Sequence, residues 1–98
     1  MLSSLFVIPV HDVLPAALAG VLRSAPLTPE KVAFAWRLAV GSATARATTV
    51  DLRDGVLHVR ARDAAWRREI ERSATEVRSR LAATLGPGVI RSIEVGLR

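Results

Sequence analysis

Thr48-Thr49-Val50-Asp51-Leu52-Arg53-Asp54-Gly55-Val56-Leu57-His58-Val59-Arg60-Ala61-Arg62 is the stretch that decides the fold. Apolar and polar residues alternate on both sides of Asp54-Gly55, and a period of two marks a half-buried strand. Asp-Gly between two such runs signals a hairpin, because a type I′ turn needs positive φ at both central residues. A two-residue turn also sets the register. Arg53 then faces Val56, Leu52 faces Leu57, Asp51 faces His58, Val50 faces Val59, and Thr49 faces Arg60. The expected inward row is Val50, Leu52, Leu57, Val59 and Ala61. The outward row is Thr49, Asp51, Arg53, Val56, His58, Arg60 and Arg62.

On both sides of the hairpin the period changes to that of a helix. Downstream, Asp63 is positioned to cap a helix over residues 63–85. Trp66, Ile70, Ala74, Val77, Leu81 and Leu85 fall in one stripe, as for a helix laid on a sheet. Gly86 suits a left-handed stop and Pro87 forbids continuation. A last strand, Ile93-Glu94-Val95-Gly96-Leu97, alternates again. Upstream, Thr28 caps and Pro29 occupies the first position of another helix, with Glu30 at its positive end. Val32, Ala35, Trp36, Ala39 and Val40 share one face, while Phe34 and Leu38 lie nearly opposite. That helix is therefore expected to touch both the sheet and a neighbour, and Gly41 ends or bends it. Residues 12–25 read as a first helix, with Pro15 in its first turn and Leu14, Leu18, Val21, Leu22 and Ala25 at helical spacing. Residues 1–10 form an apolar lead-in without clear period. The predicted fold is a two-layer α+β sandwich in the order α-α-β-β-α-β, a single domain over residues 1–98. The last strand can lie beside either hairpin strand. Beside the second, it makes a mixed sheet.

The 98 residues are half hydrophobic and 23% charged, a globular composition. With no cysteine and two histidines, thiol catalysis, thiolate metal sites and histidine-rich metal centres are excluded. No Walker loop, dinucleotide fingerprint or metal-binding helix motif occurs, so no cofactor and no small-molecule substrate is expected. The apolar tract near the start is far shorter than the ~20 residues of a membrane span. Without a signal-peptide pattern, a cytoplasmic protein is expected, nucleoid-associated if it binds DNA.

The net charge is +5, and 13 of the 14 basic residues are arginine, which GC-rich coding alone explains. The excess is unevenly placed. Residues 46–62 carry four arginines against two aspartates, whereas residues 63–85 carry five against four carboxylates. In that helix, Glu69 with Arg72 and Glu76 with Arg80 have favourable spacing. Arg53, His58, Arg60 and Arg62 project from the hairpin, and Arg98 joins them by alternation. Arginines offer planar, bidentate donors to phosphate, so this face is a candidate nucleic-acid surface. It carries no aromatic residue for base stacking, so contact would be backbone-directed and salt-sensitive. The alternative is a solvated sheet face whose arginines pair with Asp51 and Glu94. An Asp51–His58 acid–base pair is the sole enzymatic reading, and nothing beside it supplies a nucleophile or oxyanion hole. Phe34 and Leu38 either clamp the first helix or form an apolar patch for a partner. Arg68 and Arg72 are the charged counterparts for such docking. Trp36 and Trp66 read as core anchors, with Ile70, Val77 and Leu81 beneath them.

An ordered set of motifs goes further. Trp36…Val40-Gly41, Ala45…Thr48, Leu52…Asp54-Gly55-Val56-Leu57…Val59, Ala65-Trp66…Glu69-Ile70, Leu81…Leu85-Gly86 and Ile90…Ile93 together resemble the DciA family over about residues 14–97. The resemblance implies a bacterial adaptor that helps load the DnaB-type replicative helicase and also binds DNA. It implies a fold similar to the K-homology fold without its Gly-x-x-Gly loop, since residues 63–85 read as one uninterrupted helix. Many relatives carry a basic or disordered extension, whereas here Arg98 follows the last strand directly. The expected role is therefore binding and positioning. Two alternatives stay open: a general single- or double-stranded DNA or RNA binder without a helicase role, and a purely protein-binding module.

Overall fold

The computed structural model describes residues 26–98. The predicted helix over 12–25 and the apolar lead-in over 1–10 lie outside the described residues. Within them the order is α1 (Pro29–Val40), α2 (Ser42–Arg46), β1 (Thr48–Arg53), β2 (Val56–Ala61), α3 (Ala64–Arg72), α4 (Ala74–Leu85) and β3 (Ser92–Leu97).

The hairpin forms as its alternation and turn require. Asp54 (φ 52°) and Gly55 (φ 79°) both sit in the left-handed region. β1 and β2 pair antiparallel with Arg53 opposite Val56 and Thr49 opposite Arg60, the predicted register throughout. β3 lies beside β2 and parallel to it, with Leu57 opposite Ile93, His58 opposite Glu94 and Arg60 opposite Gly96. The sheet is therefore mixed, with β2 in the middle. Loop 86–91 is tied to the turn: Gly55 O accepts from Arg91 N at 2.7 Å, and the Arg91 guanidinium donates to Asp54 O. The Arg91 side chain covers the space where a Cβ on Gly55 would lie.

The helices form one layer on the inward face, and the fold is a two-layer α+β sandwich. Thr28 Oγ1 accepts from Lys31 N at 3.1 Å and opens α1. Gly41 at φ 88° ends it and turns the chain into the short α2. Val32, Ala35, Trp36 and Ala39 of α1 meet Leu57, Val59 and Ala61 of β2, with Ile70, Val77, Leu81 and Leu85 from α3 and α4. Val40, Leu52 and Trp66 are only partly buried against this cluster, so Trp66 borders the core where the sequence places it inside.

The predicted single helix over 63–85 is two helices. Asp63 caps α3 as expected, with Oδ1 accepting from Trp66 N at 3.0 Å. At Ser73 (φ −99°, ψ 10°) the helix stops and α4 begins. The Ser73 hydroxyl donates to Glu69 O at 3.0 Å and lies 3.4 Å from Ile70 O, so the side chain competes with the ladder. The break contains no glycine, and Ile70 and Val77 stay buried on either side of it. The continuity of that stripe is why periodicity alone does not reveal the break.

One polar contact joins the layers inside the core. Trp36 Nε1 donates to Thr48 Oγ1 at 2.8 Å, and that hydroxyl donates onward to Thr44 O at 2.8 Å. Trp36 and Thr48 are 2% and 6% exposed, so water cannot replace the bond. Thr48→Val keeps the shape and strands the indole N–H. It should lower the unfolding free energy by about 1–3 kcal/mol, measured by chemical denaturation. Thr48→Ser should recover most of that loss, and equal losses in both variants would place the effect in packing.

Candidate nucleic-acid interface

The pleat puts Thr49, Asp51 and Arg53 of β1, His58 and Arg60 of β2, and Ser92, Glu94 and Gly96 of β3 on the face away from the helices. Arg62 and Arg98 extend this face just beyond the strands. Arg62 N donates to Ala47 O at 2.9 Å and Arg98 N to Ala61 O at 3.0 Å, so both backbones stay in the sheet's hydrogen-bond pattern.

The five predicted basic residues do not form one uniform surface. Arg53 lies at the turn end, where its Nε meets Asp51 Oδ2 at 2.8 Å. His58 lies mid-sheet, with Nδ1 3.3 Å from Glu94 Oε1. Asp51 and His58 are paired in register, yet each takes a different partner, so the acid–base pair does not form. Arg60, Arg62 and Arg98 gather at the opposite end. Arg60 and Arg98 make no ion pair among the described residues, and Arg62 reaches Asp63 only at 3.8 Å. The alternative of arginines paired to Asp51 and Glu94 thus holds for Arg53 and fails for these three. Glu94 pairs with His58, and among the described residues it makes no ion pair with any of these three arginines.

Gly96 shapes this end. A Cβ there would lie 2.5 Å from Arg60 Nη1, so the Arg60 guanidinium rests over the glycine. A glycine inside a strand marks such a close approach. Gly96, a glycine inside an alternating strand, is the signal in the sequence for this close approach. Arg91 and Arg78, which no local pattern in the sequence marks, brace the turn end: Arg78 donates to Arg91 O at 3.1 Å. No aromatic side chain lies on the face among the described residues, so its chemistry is that of charge and hydrogen bonding rather than ring stacking.

The partner-facing candidates lie elsewhere. Phe34 is 45% exposed and Leu38 is half-buried. Arg68 is exposed, and Arg72 is engaged by Glu69 within α3. Glu76 holds Arg80, whose guanidinium also donates to Ala39 O at 3.0 Å and fastens α4 to α1. Among the described residues no cluster of three or more His, Asp or Glu could hold a metal. No helix there is long and apolar enough to cross a membrane.

The family model described as "Dna[CI] antecedent, DciA" matches residues 9–95, nearly the whole chain. The chain belongs to the DciA family. The stretch matched holds the hairpin, the Trp36–Thr48 contact and both halves of the broken helix. No curated protein and no solved structure matches it. DciA membership supports, at the level of the family, a helicase-loader-type role with the DnaB-type replicative helicase.

The close approach at Gly96 has a direct test. Gly96→Ala should leave the fold intact, with unfolding free energy unchanged or raised by up to about 1 kcal/mol, because only a flexible side chain must move. The Arg60 Nε–Hε resonance should shift in the same variant. A loss above about 2 kcal/mol would mean that backbone, not Arg60, fills the space.

Proposed function

We propose that this DciA-family domain holds DNA through its open sheet face while it engages a DnaB-type helicase, and so assists loading without chemistry of its own. The observation that carries the DNA half is the gathering of Arg60, Arg62 and Arg98 at one end, with Glu94 turned to His58. Arginine forks suit phosphate oxygens, and a face without aromatics favours backbone contact over base reading. The helicase half rests on the family match over residues 9–95. Arg53 and His58 border the site as ion-paired residues and contribute less.

Two measurements test this reading. Replacing Arg60, Arg62 and Arg98 together by alanine should weaken DNA binding and flatten the plot of log K against log salt. The change is about 2–3 if each arginine meets one phosphate, at roughly 0.7 per contact on single strands and 0.9 on duplex. Arg53→Ala should change the slope by less than about one, because Asp51 already competes for it. An unchanged slope in the triple variant removes the face from the function. Pull-down with the DnaB-type helicase of the same organism, followed by a loading assay, tests the second half. DNA or RNA binding without helicase association would favour the general binder, and association without nucleic-acid affinity would favour a purely protein-binding module.

A further inference from the structure

β3 is an edge strand, with no strand paired to its outer side among the described residues. Its inner side is settled by the ladder. Ser92 N donates to Gly55 O and Arg98 N to Ala61 O, so the even-numbered residues address β2. By the strand period, Ile93, Val95 and Leu97 turn their backbone N–H and C=O groups to the outer edge. Native edges of this kind are commonly blunted by lysine, proline or a bulge. β3 has no lysine, no proline and an unbroken register with β2, and Glu94 is its one charged residue. Leu97 shows 45% of its surface to solvent at this edge. The flank of α3 above it is open as well. α3 packs on β2 and β3, and on one side of Ile70 its Trp66 and Glu69 line hollows toward α2. Arg67 and Glu71 lie on the other side of Ile70, toward the β3 edge. Arg67 Nε is shielded there without a hydrogen-bond partner among the described residues.

We propose that a second copy of this chain pairs with this edge, β3 against β3, antiparallel about a two-fold axis at Val95. Charge selects the register among those that keep most of the strand paired. One register sets Glu94 opposite Glu94, so two carboxylates meet. Another sets Gly96 opposite Gly96, so the two Arg60 guanidinium groups resting over those glycines meet. The register centred on Val95 sets Glu94 opposite Gly96 of the second copy, within reach of the Arg60 that lies over it. Glu94 is suited to this contact, because His58 engages one of its oxygens and its side chain is 65% exposed. On the inner face the same register brings Val95 to Val95 and Ile93 to Leu97, which covers the exposed leucine. The outward N–H and C=O groups of Ile93, Val95 and Leu97 then bond those of the second copy. A two-fold interface is self-complementary, so across the axis Arg67 of each α3 faces Glu71 of the other. The two sheets become one, with both open faces on the same side. Because Arg60 then meets a carboxylate, the pairing belongs to the DNA-free chain, and it stands whether or not the face binds DNA.

Sedimentation velocity of the full chain at low salt reads the pairing. One strand edge and one helix flank make a small interface, so a Kd of about 10–300 μM is expected. Raising the salt should weaken the dimer, since its register rests on charge. Val95→Pro removes an N–H that does not serve the β2 ladder, so the monomer should stay folded and the dimer should be lost. A charge exchange then tests the register. Glu94→Arg and Arg60→Glu should each weaken self-association at least about tenfold, because like charges meet in both homodimers. An equimolar mixture of the two variants should recover it, because the mixed pair restores both opposite-charge contacts. A chain that stays monomeric up to about 1 mM overturns the proposal. So does a dimer that survives in folded Val95→Pro protein. A mixture that associates no better than its separate components overturns it too, and that result decides the matter if Val95→Pro fails to fold.

Discussion

Two adjacent residues in the left-handed region, Asp54 at φ 52° and Gly55 at φ 79°, set what the rest of the sheet can do. A two-residue turn leaves one register, and a slip by one residue would send every side chain to the other face. With that register, Leu57, Val59 and Ala61 all point at the helices and are buried. Arg53, His58 and Arg60 must then all point away. The same turn anchors the far end of the chain, because Gly55 O receives Arg91 N just before β3 starts. β3 enters beside β2 at Ser92, and its parallel register brings Glu94 to His58 and Gly96 to Arg60. The charge layout of the open face is thus a consequence of a turn that carries none of the arginines involved.

The helix layer is joined to this sheet by a polar contact within an apolar core. Trp36 fills the centre of α1's buried face, and its indole N–H requires an acceptor there. Thr48, the first residue of β1, supplies it and in turn donates a hydrogen bond to Thr44 O in α2. That chain fixes where β1 begins relative to α1. Gly41 makes the arrangement reachable, since its positive φ folds α2 back toward the strand. On the other side, Arg80 reaches from α4 to Ala39 O near the end of α1. Besides its apolar packing, α1 is thus tied by one polar contact to the sheet and by another to the last helix.

How much of this was legible follows the range of each signal. The hairpin, its register and the caps at Thr28 and Asp63 depend on neighbours within a few residues, and the sequence carries them in full. The place of β3 depends on a crossover of some thirty residues, and alternation is silent on which strand it joins. The break at Ser73 was hidden for a different reason. The stripe from Ile70 to Val77 keeps its phase across it, while the cause is a hydroxyl turning to its own backbone. The spacing of Trp66 and Leu52 predicts an interior position, but spacing does not say how far the neighbouring layer extends. For the open face, composition named the arginines and could not sort them. Sorting depended on which carboxylate faces which base, a cross-strand fact supplied by the parallel pairing of β3.

That sorting gives the arginine excess a more specific meaning than its net value. Arg53 neutralises Asp51, Glu69 holds Arg72 and Glu76 holds Arg80, so much of the basic surplus is spent within single elements. What remains is the end of the sheet where the register places Arg60, Arg62 and Arg98. Gly96 permits that arrangement, because a side chain there would compete with Arg60 for the same space. Codon bias can explain why these positions are arginine rather than lysine. It does not explain why the one carboxylate within reach on β3, Glu94, faces His58, nor why the residue beside Arg60 has no side chain. Those two placements keep the guanidinium groups of this end accessible, and they are the features a phosphate backbone would require.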